Sequence, residues 1–332
     1  MKKVAIIGAG LSGLTLADQI ADIAEVTLFE KFNQVSGRMA TRKYEAYAFD
    51  HGAQFFTVKH PDFLAHINTL QAHGVVARWD ARFVEVDGTH VKKSRAWEQS
   101  YPHYVGVPDM AAVGQYLALK LLQRNVELHL NTEVKAIHKR DNQWCLTDTH
   151  NNALGSYDWV VTAIPANQAA TVLPNDFMHM QTLHGSQMLP CYALMLGFEQ
   201  ALNLTWDAAH ITNAILSWVS VNSSKPERAN GTCLVAMSRN QWAADHFNQP
   251  ESWVIDALLH ALSGIVGEQV LQAKVLQLKK WHYANAQKTG LKEVLIDAKQ
   301  QLASCGDWCI SGRVESAFVS ALQLSKSLRA VL

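Results

Sequence analysis

The chain has 332 residues, with 29 basic and 29 acidic side chains and a formal net charge of zero. This length is enough to bury a large core in two domains. The balanced charge argues against nucleic acid or anionic lipid as a partner. No run of 18 uncharged apolar residues predicts a membrane span, so we expect a soluble protein that does not bind membranes.

Cysteine and histidine usage indicates neither a disulfide framework nor a metal site. The five cysteines are an odd number without CxxC spacing, which predicts core thiols in a reducing compartment and hence a cytoplasmic location. The fifteen histidines include no HExxH motif, so we expect no bound metal. The absence of a GxSxG motif leaves hydrolase chemistry without support.

The first segment, MKKVAIIGAGLSGLTLAD, fits two interpretations. A signal peptide would explain the basic start and the apolar run, but glycines interrupt that run and an acid stands where a small cleavage residue is expected. A strand at 4–7, a glycine turn and a helix at 14–21 account for every residue. The spacing of Gly8, Gly10 and Gly13 is typical of a turn that brings a pyrophosphate to a helix N-terminus, with the Ser12 hydroxyl as a further donor.

Residues 25–30 predict a second strand, which ends in Glu30, 20 residues after Gly10. A carboxylate in this position accepts hydrogen bonds from an adenosine ribose and disfavours a 2′-phosphate. The two features together predict a dinucleotide site that excludes NADP, and they leave NAD and FAD both open.

Two further motifs favour a flavin. SGRMATR at 36–42 places Arg38 beside a glycine, where a guanidinium can pair with a pyrophosphate or with the flavin edge. DHGAQFFT at 50–57 supplies Gly52 and Ala53, which leave room for a flat ring. We therefore predict that the dinucleotide is FAD.

The remaining elements follow from periodicity and turn residues. Helices are predicted at 61–73, 107–123 (opened by Pro108 and Asp109), 252–266 and 314–328. A hairpin is predicted at 82–91, turning at Asp87-Gly88. Strands are predicted at 126–130, 133–138, 144–147 and 159–164, continuing one sheet up to Pro165, and then at 188–198, 215–221 and 233–238. A polar loop is predicted at 222–231.

Four motifs in this order, GAGLSG, SGRMATR, FDHGAQFFT and the closing GDWCISGRVESA at 306–317, resemble the flavin amine oxidase superfamily, and most closely its renalase branch. The resemblance implies an α/β fold, in which a discontinuous Rossmann-type FAD-binding domain carries an inserted mixed-sheet α+β substrate domain. It places the FAD-binding domain at 1–57, 105–165 and 292–332, and the substrate domain at 58–104 and 166–291. No cysteine lies between Cys233 and Cys305, so we expect FAD to be held non-covalently.

The resemblance also assigns residues to the cofactor. Gly306 and Asp307 are expected on the phosphates or the ribityl chain, Val314, Glu315 and Ala317 near the ring. The chain departs from the family pattern at Ser36 and Ser316, where glycine is usual. The predicted cofactor-binding set is Gly8, Gly10, Leu11, Ser12, Gly13, Glu30, Lys31, Gly37, Arg38, Met39, Gly52, Ala53, Gln54, Phe55, Val134, Gly306, Asp307, Val314, Glu315 and Ala317.

For the reaction, the resemblance implies an oxidase that takes hydride from isomeric dihydronicotinamide nucleotides and passes the electrons to O2 as hydrogen peroxide. Trp281, in the aromatic stretch LKKWHY, would stack on the flat substrate, with Tyr283 and Gln54 as further catalytic candidates. An ordinary core strand explains the same stretch. Amine oxidation, carotenoid-type desaturation and a non-catalytic FAD-binding protein remain alternatives.

Overall fold

The computed structural model describes residues 1–98, 100–228, 231–287 and 294–332. The strands are β1 (Lys2–Ile7), β2 (Ala24–Phe29), β3 (Thr41–Tyr44), β4 (Tyr47–Asp50), β5 (Val76–Arg78), β6 (Arg82–Asp87), β7 (His90–Ala96), β8 (Tyr104–Gly106), β9 (Glu127–His129), β10 (Val134–Arg140), β11 (Gln143–Asp148), β12 (Ala153–Tyr157), β13 (Trp159–Thr162), β14 (Met188–Phe198), β15 (Ala208–Thr212), β16 (Leu216–Val221), β17 (Thr232–Ser238), β18 (Val275–Ala286), β19 (Leu295–Asp297) and β20 (Leu302–Ser304). The helices are α1 (Leu11–Ile20), α2 (Pro61–Ala72), α3 (Ala112–Leu122), α4 (Ala166–Val172), α5 (Met180–Gly185), α6 (Asn240–Asp245), α7 (Glu251–Val266) and α8 (Val314–Leu328).

A six-stranded sheet, in the order β19-β20-β13-β1-β2-β9, forms the first half of the molecule. Its strands run parallel except β19 at the edge. Val4 and Ile6 pack with α1, α3 and α8, whereas Ala5 and Ile7 pack with β10–β12 and α4. A parallel strand that is covered on both faces must be apolar throughout, which explains the run at the start of the chain. The predicted Rossmann-type α/β fold is confirmed.

A seven-stranded mixed sheet, in the order β18-β14-β17-β16-β15-β6-β7, forms the second half. Helix α7 covers one face of it through Val254, Leu258 and Leu262. The hairpin β6–β7 belongs to this sheet because β6 pairs in parallel with β15, although the other strands of the sheet lie more than a hundred residues later in the sequence. This membership supports the predicted division into two domains, which stays a proposal; its boundary at 291/292 lies outside the described residues.

Most predicted elements agree with the structure, including α2, α7, α8 and the β6–β7 hairpin. Two expectations were wrong. The strands β10–β12 form their own antiparallel sheet rather than continuing the large one. The helix predicted from residue 107 begins at Ala112, because the backbone N–H groups of Met110 and Ala111 donate to the side chains of Asp50 and Thr41.

None of the described helices has both the length and the apolar character that crossing a membrane requires. Among the described residues there is also no cluster of His, Cys, Asp or Glu side chains suited to a metal ion. The five cysteines are all free thiols, and four of them are buried.

Candidate functional site

The glycine turn joins β1 to α1 as the sequence predicts. Gly8 donates its backbone N–H to Phe29 on β2, and α1 begins immediately after Gly10. A Cβ atom on Gly13 would lie 1.9 Å from the carbonyl oxygen of Gly8, so only glycine lets the helix approach the strand this closely. The first turn of α1 therefore presents its free N–H groups at the end of the sheet.

The first two glycine motifs meet in space. A Cβ on Gly37 would lie 3.2 Å from the Cα of Gly10, so the two backbones approach each other without side chains between them. Ser36, the departure from the family pattern, has φ +88°, a conformation that favours glycine. Its buried hydroxyl donates to the carbonyl oxygen of Ala111 at 2.8 Å, which helps to hold this serine where glycine is usual.

Glu30 lies buried at the end of β2, and its carboxylate is oriented by the backbone. One oxygen accepts from the N–H of Ala9 at 2.9 Å and the other from Phe32 at 3.1 Å. Burial raises the pKa of Glu30, and the two backbone hydrogen bonds oppose that rise. Each carboxylate oxygen has a second lone pair, so Glu30 retains the capacity to accept from a ribose hydroxyl.

Arg38 connects three distant segments. Its guanidinium forms two hydrogen bonds with the Asp307 carboxylate and donates to the carbonyl oxygen of Ala284 at 3.1 Å. Its own carbonyl oxygen accepts from the N–H of Ala53 at 2.9 Å. We expected this guanidinium to pair with the pyrophosphate or the flavin edge, and that role stays a prediction. In the structure it pairs with the acid of the closing motif and thereby positions that motif beside the first two.

Both the nitrogen and the oxygen of the Gln54 side-chain amide form hydrogen bonds within the protein. Its amide nitrogen donates to the carbonyl oxygens of Asp50 and Gly52, and its amide oxygen accepts from the Ser220 hydroxyl at 2.8 Å. Because both ends of the amide are occupied, Gln54 links the glycine-rich segment to β16 of the second sheet. Its amide oxygen retains a second lone pair, and its catalytic role stays a prediction.

Asp50, in the same motif, lies at the centre of a buried ion cluster. Its carboxylate accepts from Lys225 at 3.1 Å and Arg228 at 2.6 Å, and from Thr41 and Met110 on the other oxygen. The side chains of all three ions are at most 1% exposed. Burial by itself would raise the pKa of Asp50, but the two cations outweigh it and hold that pKa well below its ordinary value. The predicted polar loop thus carries two buried cations; its residues 229–230 lie outside the described chain.

The closing helix α8 packs against α1 and α2. Two of its predicted cofactor residues form hydrogen bonds with other parts of the protein. The Glu315 carboxylate accepts from the N–H groups of Lys59 and His60, at 2.6 and 2.7 Å. We expected Glu315 near the ring; instead it fixes the segment that follows GAQFFT. The Ser12 hydroxyl donates to the carbonyl oxygen of Ala317 at 2.9 Å, so its hydrogen is used within the protein rather than offered to a phosphate.

The other predicted residues occupy several environments. Leu11, Met39 and Val134 are buried in the cores that flank the six-stranded sheet. Lys31 is exposed, 3.9 Å from Glu133. The N–H of Gly306 donates to Ser320, and Val314 begins α8. Tyr283 is half-buried on β18, two residues after Trp281.

Trp281 and His51 form a stacked pair beside the glycine-rich segment. Their ring centroids are 5.3 Å apart, and the indole N–H donates to the carbonyl oxygen of His51 at 2.8 Å. Burial, together with the charges of Arg42 and Lys279, lowers the pKa of His51 to about 4. His51 is therefore neutral at neutral pH, and two cations lie close to it.

A cavity of about 360 Å³ opens beside Phe55, one residue after Gln54. Its aromatic walls come from four separate segments, and we call it the aromatic cavity: Phe55, Phe83, Trp97, Tyr101, His103 and Trp218. The sequence analysis missed these residues except Phe55. No local pattern could have identified them, because they lie on loops, a hairpin and a strand that only the fold brings together.

The residues at the junction of the motifs fit a bound FAD. If Gly10 carried a Cβ atom, its nearest neighbour would be the Cα of Gly37, 3.9 Å away, so the space beside Gly10 is open. This space faces the N-terminus of α1. The buried carboxylate of Glu30 lies at the end of the neighbouring strand, as the ribose of a dinucleotide requires. These are the two features on which the prediction of a dinucleotide site rests.

Comparison with protein families agrees with this geometry. The sequence model of a family described as flavin-containing amine oxidoreductase matches residues 105–326, about two thirds of the chain. A second model, for an NAD(P)-binding Rossmann-like domain, matches residues 6–70.

Individual proteins are similar to different extents. A 4,4′-diapophytoene desaturase of Staphylococcus aureus strain MRSA252 is 44% identical over 69 residues, which are 20% of this chain and 13% of the desaturase. A putative protoporphyrinogen oxidase from Exiguobacterium sp. 255-15 has a similar structure, with a TM-score of 0.78 and 13% identity over 99% of both chains. Putrescine oxidase bound to putrescine gives a TM-score of 0.74 and 13% identity, again over 99% of both chains. At this identity the likeness concerns the fold.

Proposed function

The chain belongs to the flavin-containing amine oxidoreductase family and is an FAD-dependent oxidoreductase; on that premise we propose that it is a renalase-like oxidase of isomeric dihydronicotinamide nucleotides. O2 is the proposed final acceptor and hydrogen peroxide the product. Family membership supports an enzyme over the non-catalytic FAD-binding protein considered above. The cytoplasmic location stays a prediction.

The observation that carries this proposal is the charge around Trp281. The positive charges of Arg42 and Lys279 lower the pKa of His51. Those of Arg42 and Lys31 lower the pKa of Lys279. Lys279 also lies 5.0 Å from the ring of Trp281. Such a cationic surface attracts the phosphate of a nucleotide and repels the ammonium group of an amine substrate.

The protonation state of His51 supports the same choice. Oxidation of an amine begins with loss of a proton from its ammonium group, which needs a base of suitable strength. With a pKa of about 4, His51 is a weak base. A dihydronicotinamide needs no such base, because its ring releases a hydride directly.

The chain's own residues would hold and orient the reactants. Glu30 and the first turn of α1 would bind the adenosine and pyrophosphate, and the Arg38–Asp307 pair would keep the closing motif against the second glycine motif. The Trp281 ring, fixed by its hydrogen bond to His51, would shield one side of the junction from water.

The chemistry balances without a protein acid or base. FAD, when bound, supplies the electron acceptor. The donor loses a hydride and becomes an aromatic nicotinamide cation; O2 finally receives two electrons, the proton of that hydride and one proton from solvent, and leaves as hydrogen peroxide. Burial raises the pKa of Cys305 well above its ordinary value and that of Cys309 to about 12, which disfavours a thiolate link and supports non-covalent FAD.

The test is anaerobic reduction of the FAD-loaded protein by β-NADH, isomeric dihydronicotinamide nucleotides, and primary and secondary amines. We expect fast bleaching of the flavin absorbance by the isomers, slow bleaching by β-NADH and none by amines, with peroxide formed when air is admitted. Lys279→Gln should raise KM for the nucleotides, whereas Lys274→Gln, which removes an exposed cation paired with Glu199, should not. Rapid reduction by an amine with the isomers inert would support amine oxidation instead.

A further inference from the structure

The aromatic cavity has the composition of a binding site for a flat ring. Phe55 lies 5.2 Å from both Trp97 and Trp218, between ring centroids. The planes of Trp97 and Trp218 differ by only 17°, with centroids 6.4 Å apart. The two indoles therefore offer nearly parallel apolar surfaces to a flat ring, which stacks at the ordinary carbon–carbon contact distance of about 3.5 Å.

Two polar atoms in the walls lack partners in the described part of the chain, whereas the Tyr101 hydroxyl donates to Thr57 at 3.1 Å. The indole nitrogen of Trp218 and Nδ1 of His103 are buried without a hydrogen-bond partner among the described residues. An indole N–H is only a donor, so the occupant that satisfies it must carry an acceptor. Burial lowers the pKa of His103 to about 4, so this ring is neutral and can stack on Trp97, 3.7 Å away between centroids.

Arg95 is the cation at the rim of the cavity. Its guanidinium is 3.7 Å from Glu85 and 3.6 Å from Glu98, beyond the range of a good hydrogen bond, and its side chain is 40% exposed. Exposed ion pairs of this kind are weak. The guanidinium can therefore turn towards the phosphate of a ligand at little cost.

We propose that the aromatic cavity binds the planar base of a nucleotide, with the base packed against the aromatic rings of Trp97 and Trp218, an acceptor of the attached ribose at the Trp218 N–H, and the phosphate at Arg95. The inference rests on the proposed function, in which the electron donor is a nucleotide. It places a ring of that donor at Phe55, four residues and thus at most about 14 Å of extended chain from His51. The volume of about 360 Å³ lies at the lower end of small-molecule sites, which suits one nucleotide.

The experiment is calorimetric titration of the FAD-loaded protein with two probes that cannot donate hydride, nicotinamide mononucleotide and adenosine monophosphate. We expect saturable binding of at least one of them, and the tighter probe identifies which base occupies the cavity. Trp218→Phe keeps a stacking ring but removes the N–H, and should weaken binding about fivefold. Trp218→Leu removes both and should weaken it about two- to tenfold further.

Controls separate the cavity from the fold and from the reaction. Trp253→Phe alters an exposed tryptophan on α7 and should leave probe binding unchanged, while FAD retention reports the integrity of each variant. Arg95→Gln should weaken a mononucleotide but not the corresponding nucleoside. Probe binding that depends on Trp218 in a protein no dihydronicotinamide reduces would uphold the cavity and reject the proposed function. Reduction by dihydronicotinamides with binding indifferent to Trp218, or no probe binding at all, would overturn the cavity proposal.

Discussion

The six-stranded sheet builds its site from backbone, whereas the seven-stranded sheet builds its cavity from side chains. At the first site, Gly10, Gly13 and Gly37 matter because they carry no side chain, and the buried carboxylate of Glu30 is itself oriented by two backbone N–H groups. At the second, aromatic rings from four segments enclose the space. A site built from backbone depends on short motifs, so substitutions at a few positions disrupt it. In a cavity built from side chains, each aromatic residue can be substituted separately.

Two residues of the DHGAQFFT motif, Asp50 and Gln54, make contacts that connect these regions. Asp50 binds two cations from the loop after β16, and Gln54 accepts a hydrogen bond from Ser220 on β16 itself. Both residues belong to the one motif that lies between the sheets. This buried motif therefore helps to hold the two regions together.

The largest expected effect comes from breaking this connection with Asp50→Asn. The variant leaves Lys225 and Arg228 buried without a counter-charge, so the free energy of unfolding should fall by about 3–5 kcal/mol. Urea denaturation measures it, with Asp22→Asn as the control, since Asp22 pairs with Arg329 on the exposed surface and its loss should cost much less. A loss below about 1 kcal/mol for Asp50→Asn would mean that the cluster does not hold the two regions together.

Gly13→Ala tests the backbone site. The new Cβ would overlap the carbonyl oxygen of Gly8, so α1 must move, at a cost of about 1–3 kcal/mol in stability and with weaker FAD retention. Thermal unfolding and flavin absorbance after gel filtration are the measurements. Gly185→Ala is the matched control, because a Cβ there meets nothing within 4 Å. Equal behaviour of the two variants would contradict the close approach of helix and strand.

Glu30→Ala tests the one side chain on which the backbone site depends. Removing a hydrogen-bond acceptor for the ribose should weaken FAD binding by about 1–3 kcal/mol, measured by titrating apoprotein with FAD. Glu25→Ala, an exposed acid at the other end of β2, should bind FAD as the unaltered protein does. Unchanged affinity in the Glu30 variant would remove this residue from the cofactor site.

A further effect concerns pH and the aromatic cavity. The pKa of His103 is lowered to about 4 in the folded protein, so between pH 4 and the ordinary value near 6.5 the unfolded chain binds more protons. The contribution of His103 to the free energy of unfolding therefore decreases as the pH falls through this window. His103→Phe keeps the stack on Trp97 and should flatten that dependence in urea midpoints between pH 4.5 and 7. Parallel curves for the two proteins would show that His103 titrates normally.

The sequence by itself determined the first region, because its requirements are local. The strand, the turn glycines and the acid at Glu30 lie within 30 residues, and each is needed at a fixed offset by the geometry of one strand–turn–helix unit. The hairpin at Asp87-Gly88 and helix α8 were predicted for the same reason, since turn residues and helical periodicity act over a few positions.

Only the tertiary structure decided how distant segments pair. It directs Arg38 to Asp307, Glu315 to the backbone at Lys59 and His60, and the polar loop cations to Asp50. It also places β6 beside β15 and closes the aromatic cavity from positions 55 to 218. A charged or aromatic side chain can satisfy its hydrogen bonds or its packing with many partners, and the choice among them depends on which surfaces folding brings together; no local spacing encodes it.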